Sequence, residues 1–201
     1  MPPAGAFGYD APMKLDATVP ALLEAGERRR AVELIMHELG PSVRGLLHTI
    51  FRANRDAAEE SFSLFAENLW RHATTYRGES TVKAWVYCIA RNAAVTVTRD
   101  GWRRLGRHLE TMEAERLAEE VRTRSALRLE RQSSALESLR DLLDMDEQTL
   151  LTLRLDEKLP WDQVAQVMSS GSEPVDAATL RKRFERVKVR LGEEARRRGL
   201  V

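Results

Sequence analysis

The spacing of apolar residues constrains this chain more than any other feature. From Glu27 onward they recur three and four positions apart, the interval that lines one face of an α-helix, and no convincing β-hairpin interrupts them. Ala31, Leu34, Ile35 and Leu39 make one such face; Val43, Leu46, Leu47, Ile50 and Phe51 make the next. Gly40-Pro41 lies between the two and predicts a break or kink, because proline lacks an amide proton and clashes with the preceding turn. A helix is expected over about Ala57–His72 with Phe62, Phe65, Ala66 and Leu69 inward. Tyr76-Arg77-Gly78-Glu79-Ser80 reads as a loop, after which Ser80 or Thr81 caps a helix running through Val82, Trp85, Val86, Ile89 and Ala90 to about Arg103. Ala94 to Thr98 alternates like a strand, yet a run this short without flanking turn signals stays helical.

The remaining segments divide the chain. Residues 1–26 begin with proline and glycine without periodicity and are expected to be a mobile tail. Residues 105–132 alternate charge signs and read as a solvated, partly helical linker. In residues 133–201, Leu136, Leu139 and Leu143 form one stripe and Leu150, Leu151, Leu153 and Leu155 another, with Asp146 as a cap between them. A short helix follows Pro160-Trp161 and holds Val164, Ala165, Val167 and Met168. After a break over Ser169–Pro174, a last helix carries Leu180, Phe184, Val187 and Leu191. The expected fold is all-α: two small helical domains, 27–104 and 133–201, on a charged linker.

Composition narrows the function classes. A single cysteine, Cys88, forms no internal disulfide and points to a reducing cytoplasm. Asp10, Pro12, Lys14 and Asp16 interrupt any secretion signal, and no apolar run approaches the roughly 20 residues that span a bilayer, so a soluble protein without membrane attachment is expected. No catalytic constellation, cofactor loop or metal-ligand spacing is present: His37, His48, His72 and His108 are scattered, and Cys88 reads as a small core-facing residue. The chain is therefore not expected to be an enzyme, nor to carry a cofactor or metal.

Net charge is only +1, which taken whole argues against nucleic acid. The average conceals a pattern. Residues 76–104 carry six basic and two acidic side chains, residues 179–201 nine and three, and residues 133–178 three and ten. The second basic block lies on a helix-turn-helix pattern. If Leu180, Phe184, Val187 and Leu191 seat the last helix, then Arg181, Lys182, Arg183, Arg186 and Lys188 point outward, where they suit a major groove and its phosphates. In the first block Tyr76, Trp85 and Tyr87 mix with Arg77, Lys83, Arg91, Asn92 and Arg99, a combination suited to stacking unpaired bases and holding a single strand; Trp85 taken alone reads as core.

The run Tyr76-Arg77-Gly78-Glu79-Ser80-Thr81-Val82-Lys83-Ala84-Trp85-Val86-Tyr87-Cys88-Ile89-Ala90-Arg91-Asn92 resembles the signature stretch of bacterial sigma factors of the extracytoplasmic-function group. Leu159-Pro160-Trp161-Asp162-Gln163-Val164-Ala165 and the helix from Thr179 to Leu191 resemble the family's second-domain helix-turn-helix. The resemblance covers about 27–104 and 133–195. It implies a sigma region 2-like domain that binds the clamp of the largest subunits of core RNA polymerase and melts the promoter −10 element, and a region 4-like domain that reads the −35 element as duplex. By position, Tyr76, Arg77, Gly78, Glu79 and Ser80 would accept a flipped −10 base, and Lys83, Arg91, Asn92 and Arg99 would lie along the non-template strand. Thr179, Arg181, Lys182, Arg183 and Arg186 would hold the −35 groove. An anti-sigma factor is a further partner the resemblance raises.

The chain departs from the pattern twice. Where the family's polymerase-contact helix has a Gln-Glu pair, this sequence has Ser63-Leu64, so the expected clamp contact over Glu59, Glu60, Ser63, Leu64 and Glu67 is either weaker than the family's or carried by Glu59, Glu60 and Glu67 instead. The helix-turn-helix turn is also lengthened over Ser170–Pro174. Two other readings compete: a helix-turn-helix regulator that binds duplex without polymerase, and a protein-interaction adaptor whose charged faces are merely solvated.

Overall fold

The computed structural model describes residues 11–52, 54–100, 112–129, 139, 142–170 and 173–199. They are helical with no strand among them, and the helices fit two helical domains. Helix α1 (Ala11–Glu24) places Leu15 and Val19 in the core one turn apart. It ends in a left-handed Gly26 (φ 75), where the amides of Gly26 and Glu27 bond back to the carbonyls of Leu23 and Leu22. Residues 11–24 are thus a docked helix and not the mobile tail expected of them. The part of that tail before Ala11 lies outside the described residues.

Helices α2 (Arg28–Glu38) and α3 (Gly40–Phe51) meet at the predicted break, with Pro41 in the first turn of α3 where its missing amide proton leaves no carbonyl unpaired. Asn54 caps α4 (Arg55–His72) by accepting from the Ala57 amide at 3.0 Å. A 3₁₀ turn (Ala73–Thr75) and the loop 76–81 lead into α5 (Val82–Asp100), helical through Ala94–Thr98 as expected. The core of this first unit lies between α3, α4 and α5, where the fully buried Phe62 and Phe65 stack with centroids 5.8 Å apart. Arg103, His108 and the expected linker's first residues lie outside the described set.

Helix α6 (Met112–Leu129) corrects the solvated linker. Ala114, Leu117, Ala118 and Val121 recur three and four residues apart and are buried against α2, α3 and α4. The approach is closest at Gly40, where an added Cβ would stand 2.8 Å from Val121 Cγ2.

The second unit begins at α7 (Met145–Leu151). Its cap is Asp144 and not Asp146: Asp144 accepts from the Glu147 amide at 2.7 Å, and Glu147 answers to the Asp144 amide at 3.2 Å. A π-helical turn (Thr152–Asp156) follows, then α8 (Trp161–Ser169) and α9 (Ala177–Arg197). Leu150, Leu153, Val164, Val167, Leu180, Phe184 and Val187 are buried, with the Trp161 ring edge-on to Phe184 at 5.5 Å. Leu155 departs from its expected stripe and is 55% exposed, because the wider π turn rotates it off the buried face. Of the other expected stripe, Leu143 is buried and Leu136 lies outside the described residues. The cores of the two units are continuous: α8 lies on α5, and α7 on α3.

Candidate nucleic-acid interface

The loop that enters α5 is built by short-range bonds. The Tyr76 hydroxyl donates to the Ser80 carbonyl at 2.6 Å, its ring tilts against Trp85 at 5.0 Å, and Gly78 supplies the left-handed turn (φ 72) between them. Arg77, Gly78 and Glu79 are exposed at the tip. Thr81 Oγ1 accepts from the Ala84 amide, while Asp16, reaching from α1, accepts from the Val82 amide at 2.6 Å. Two side chains therefore cap α5, and one of them belongs to a helix that sequence reading treated as tail. Partial burial, with Asp16 nearby, raises the Tyr76 phenol above its ordinary pKa, so it stays a hydrogen-bond donor at neutral pH.

Along α5 the basic side chains separate. Arg99 is exposed. Lys83 donates to the carboxylate of Glu157 at 2.7 Å and to its carbonyl at 2.9 Å. Arg91 is 3% exposed, paired with Asp146 at 2.8 Å and bonded to the Ser170 carbonyl. Tyr87 is fully buried beside Glu157 and Ser42, its pKa driven well above the ordinary value first by burial and then by that carboxylate. Cys88 is half-buried, and burial raises its thiol pKa, consistent with an inert packing role.

Residues 35–104 match the family model of Sigma-70 region 2. The matched segment is part of a 201-residue chain, and it contains the whole loop-and-helix motif together with α3, α4 and part of α2. Region 2 is a helical, non-catalytic domain that binds core RNA polymerase and promoter DNA. No curated protein and no solved structure matches the chain.

The residues expected to meet polymerase lie on α4, inside the matched segment. Glu59 is the centre of a network that sequence reading did not find. Its carboxylate takes Arg44 Nε at 3.0 Å, His48 Nε2 at 2.7 Å and Arg122 Nε at 3.1 Å. Burial works to raise its pKa, yet the hydrogen bonds from His48, Arg44 and Arg122 outweigh it and hold the carboxyl at about 2. Arg44 also reaches Ser125 Oγ at 2.8 Å, and Arg122 donates to Ser63 Oγ. Glu59 and Ser63 thus face α6, whereas Glu67 is buried and paired with Arg71 at 2.8 Å, and Glu60 and Leu64 remain half-exposed.

In the second unit Asp176 caps α9 by accepting from both the amide and the hydroxyl of Thr179 at 2.8 Å, so that hydroxyl is engaged. Arg181, Lys182 and Arg186 are exposed on one face without an ion pair to any described residue. Arg183 turns back to Asp144 at 3.2 Å and Asp146 at 3.6 Å. Val175 closes the lengthened turn through two bonds with Ser169 Oγ. The carboxylates of Asp144, Asp146 and Glu157 thus pair with three of the predicted DNA-facing cations. The acidic excess of residues 133–178 was their trace in the sequence, although it does not say which cation each one meets.

Among the described residues no helix is long and apolar enough to cross a membrane.

Proposed function

We propose that the chain is a sigma factor of the extracytoplasmic-function group, acting in the cytoplasm. The observation that carries this is the capped 76–80 loop with its Tyr76–Trp85 pair and basic α5, lying inside the segment that matches region 2. Mechanistically, core RNA polymerase is held on α4, with Glu60 and Leu64 the accessible contacts and Glu59, Ser63 and Glu67 beside them. A flipped −10 base enters at Tyr76, Arg77, Gly78, Glu79 and Ser80. Extruding a base costs a few kcal/mol, which contacts made only to the open strand by Lys83, Arg91, Asn92 and Arg99 offset. The pair α8 and α9 is a region 4-like helix-turn-helix, with Arg181, Lys182 and Arg186 on the −35 groove and Thr179 and Arg183 at its edge. Each phosphate neutralised there releases counterions and adds to salt dependence. An anti-sigma factor would control it from outside.

Runoff transcription from a genomic fragment library tests this. The chain with core polymerase should yield discrete transcripts that neither produces alone. Tight duplex binding by the free chain, with no association with polymerase, would instead identify a helix-turn-helix regulator.

A further inference from the structure

The loop 76–80 is held where it becomes helix, from both sides of Thr81. On one side the Ser80 carbonyl accepts from the Tyr76 hydroxyl at 2.6 Å, and on the other the Val82 amide donates to Asp16 Oδ1 at 2.6 Å. Two consecutive peptide units are therefore pinned, the first from inside the loop and the second from α1. Asp16 is presented there by its neighbours: Leu15 and Val19 are buried and dock α1 on α2 and α5, which leaves the carboxylate exposed beside the start of α5. Burial and, after it, the Asp16 charge raise the Tyr76 phenol pKa, so the carboxylate also secures the proton that Tyr76 donates to Ser80.

Helix α5 does not need this bond in order to start. Thr81 caps it locally, its Oγ1 accepting from the Ala84 amide at 3.2 Å, the third-position donor that a threonine cap ordinarily satisfies. The Val82 amide is one of the first free donors of the helix and would otherwise be met by water. What Asp16 adds is a fixed direction for the chain as it leaves the loop. We propose that Asp16 is a positioning residue for base capture, holding the 81–82 peptide so that the loop keeps, before any strand arrives, the shape that receives an unpaired base. This rests on the reading of Tyr76 to Ser80 as the base-accepting loop. Arg77, Gly78 and Glu79 are all exposed, so no side chain at the tip anchors the loop and its two ends must do so. Asp16 precedes the 35–104 segment that matches Sigma-70 region 2, so one of those anchors comes from outside it. A loop that is competent only part of the time binds with an affinity reduced by that fraction.

The test compares wild type, Asp16→Ala and Asp16→Asn, each as the full chain with core polymerase. Asparagine keeps an oxygen that can accept from Val82, and alanine does not. The probe is a labelled single strand carrying the −10 sequence of a promoter recovered by runoff transcription, read by fluorescence anisotropy, together with versions made abasic at each position in turn. The position where loss of the base costs wild type most marks the captured base. Asp16→Ala should bind the intact strand about tenfold more weakly and that abasic strand as wild type does, while Asp16→Asn stays close to wild type on both. Equal affinities for all three proteins overturn the proposal. So does a loss that Asp16→Asn shares, which assigns the effect to charge, or one that the abasic strand shares, which places it outside the base pocket. Hydrogen exchange gives a reading without nucleic acid: Asp16→Ala should speed exchange over residues 77–82 and leave α4 and the rest of α5 protected, whereas uniform acceleration or none refutes the positioning role. Runoff transcription keeps the two readings apart. A wild-type complex that yields no promoter-dependent transcript removes the sigma-factor reading and this one with it; transcription and strand capture that Asp16→Ala matches remove only the role of Asp16.

Discussion

Glu59 ties the stability of the first unit to pH. A carboxyl held at about 2 in the folded chain, against 4.5 when free, corresponds to about 3 kcal/mol at ~1.4 kcal/mol per tenfold change. Its side chain is 30% exposed, so solvent screening reduces the figure to about 2 kcal/mol. Because the folded value is the lower one, this stability is fully present above pH 4.5 and is lost as pH falls toward 2, with more than half gone by about pH 3. Glu59→Gln removes the charge but keeps the shape, leaving Arg44 its bond to Ser125. Urea unfolding of wild type and variant at pH 7 should differ by about 2 kcal/mol, and at pH 3 by less than about 1 kcal/mol. An equal difference at the two pH values would refute the electrostatic origin, and no difference at pH 7 would show that the network contributes nothing.

Other substitutions probe packing and charge separately. Phe62→Ala removes a fully buried ring stacked on Phe65 and should cost about 3–5 kcal/mol in the same unfolding assay. Gly40→Ala puts a methyl against Val121 and should destabilise by about 1–3 kcal/mol, with faster hydrogen exchange concentrated in α6. Asp144→Ala removes the capping box of α7 and should cost about 1 kcal/mol, read as a lower thermal midpoint. Arg186→Ala should weaken duplex binding and reduce its salt slope by about 1, measured by titration at several ionic strengths.

Helices α2 to α5 and the inward faces of α8 and α9 were legible because each depends on residues three and four apart. Phe62, Phe65 and Leu69, or Leu180, Phe184 and Val187, report their buried face without reference to the rest of the chain. Helix α6 was obscured because half its buried stripe is alanine, Ala114 and Ala118, which contributes little to a hydrophobic pattern amid alternating charges. Helix α1 was hidden behind proline and glycine at its start, although Leu15 and Val19 carry the correct interval. The pairing of charges was not legible at all. Arg44, Glu59 and Arg122 are drawn together from three helices, and Arg91 meets Asp146 across 55 positions. Local periodicity holds no record of contacts that tertiary packing decides. The loop 76–80 was readable as a loop, but the Asp16 cap that fixes it comes from 66 positions away.

The most direct measurement is permanganate reactivity of thymines in the −10 element of a promoter recovered by runoff transcription. With core polymerase and the chain together, those thymines should become reactive, and Tyr76→Ala/Trp85→Ala should abolish the reactivity while leaving polymerase binding intact. Unreactive thymines in the presence of both proteins, or reactivity from polymerase alone, would contradict the assignment of this chain as the factor that opens the promoter.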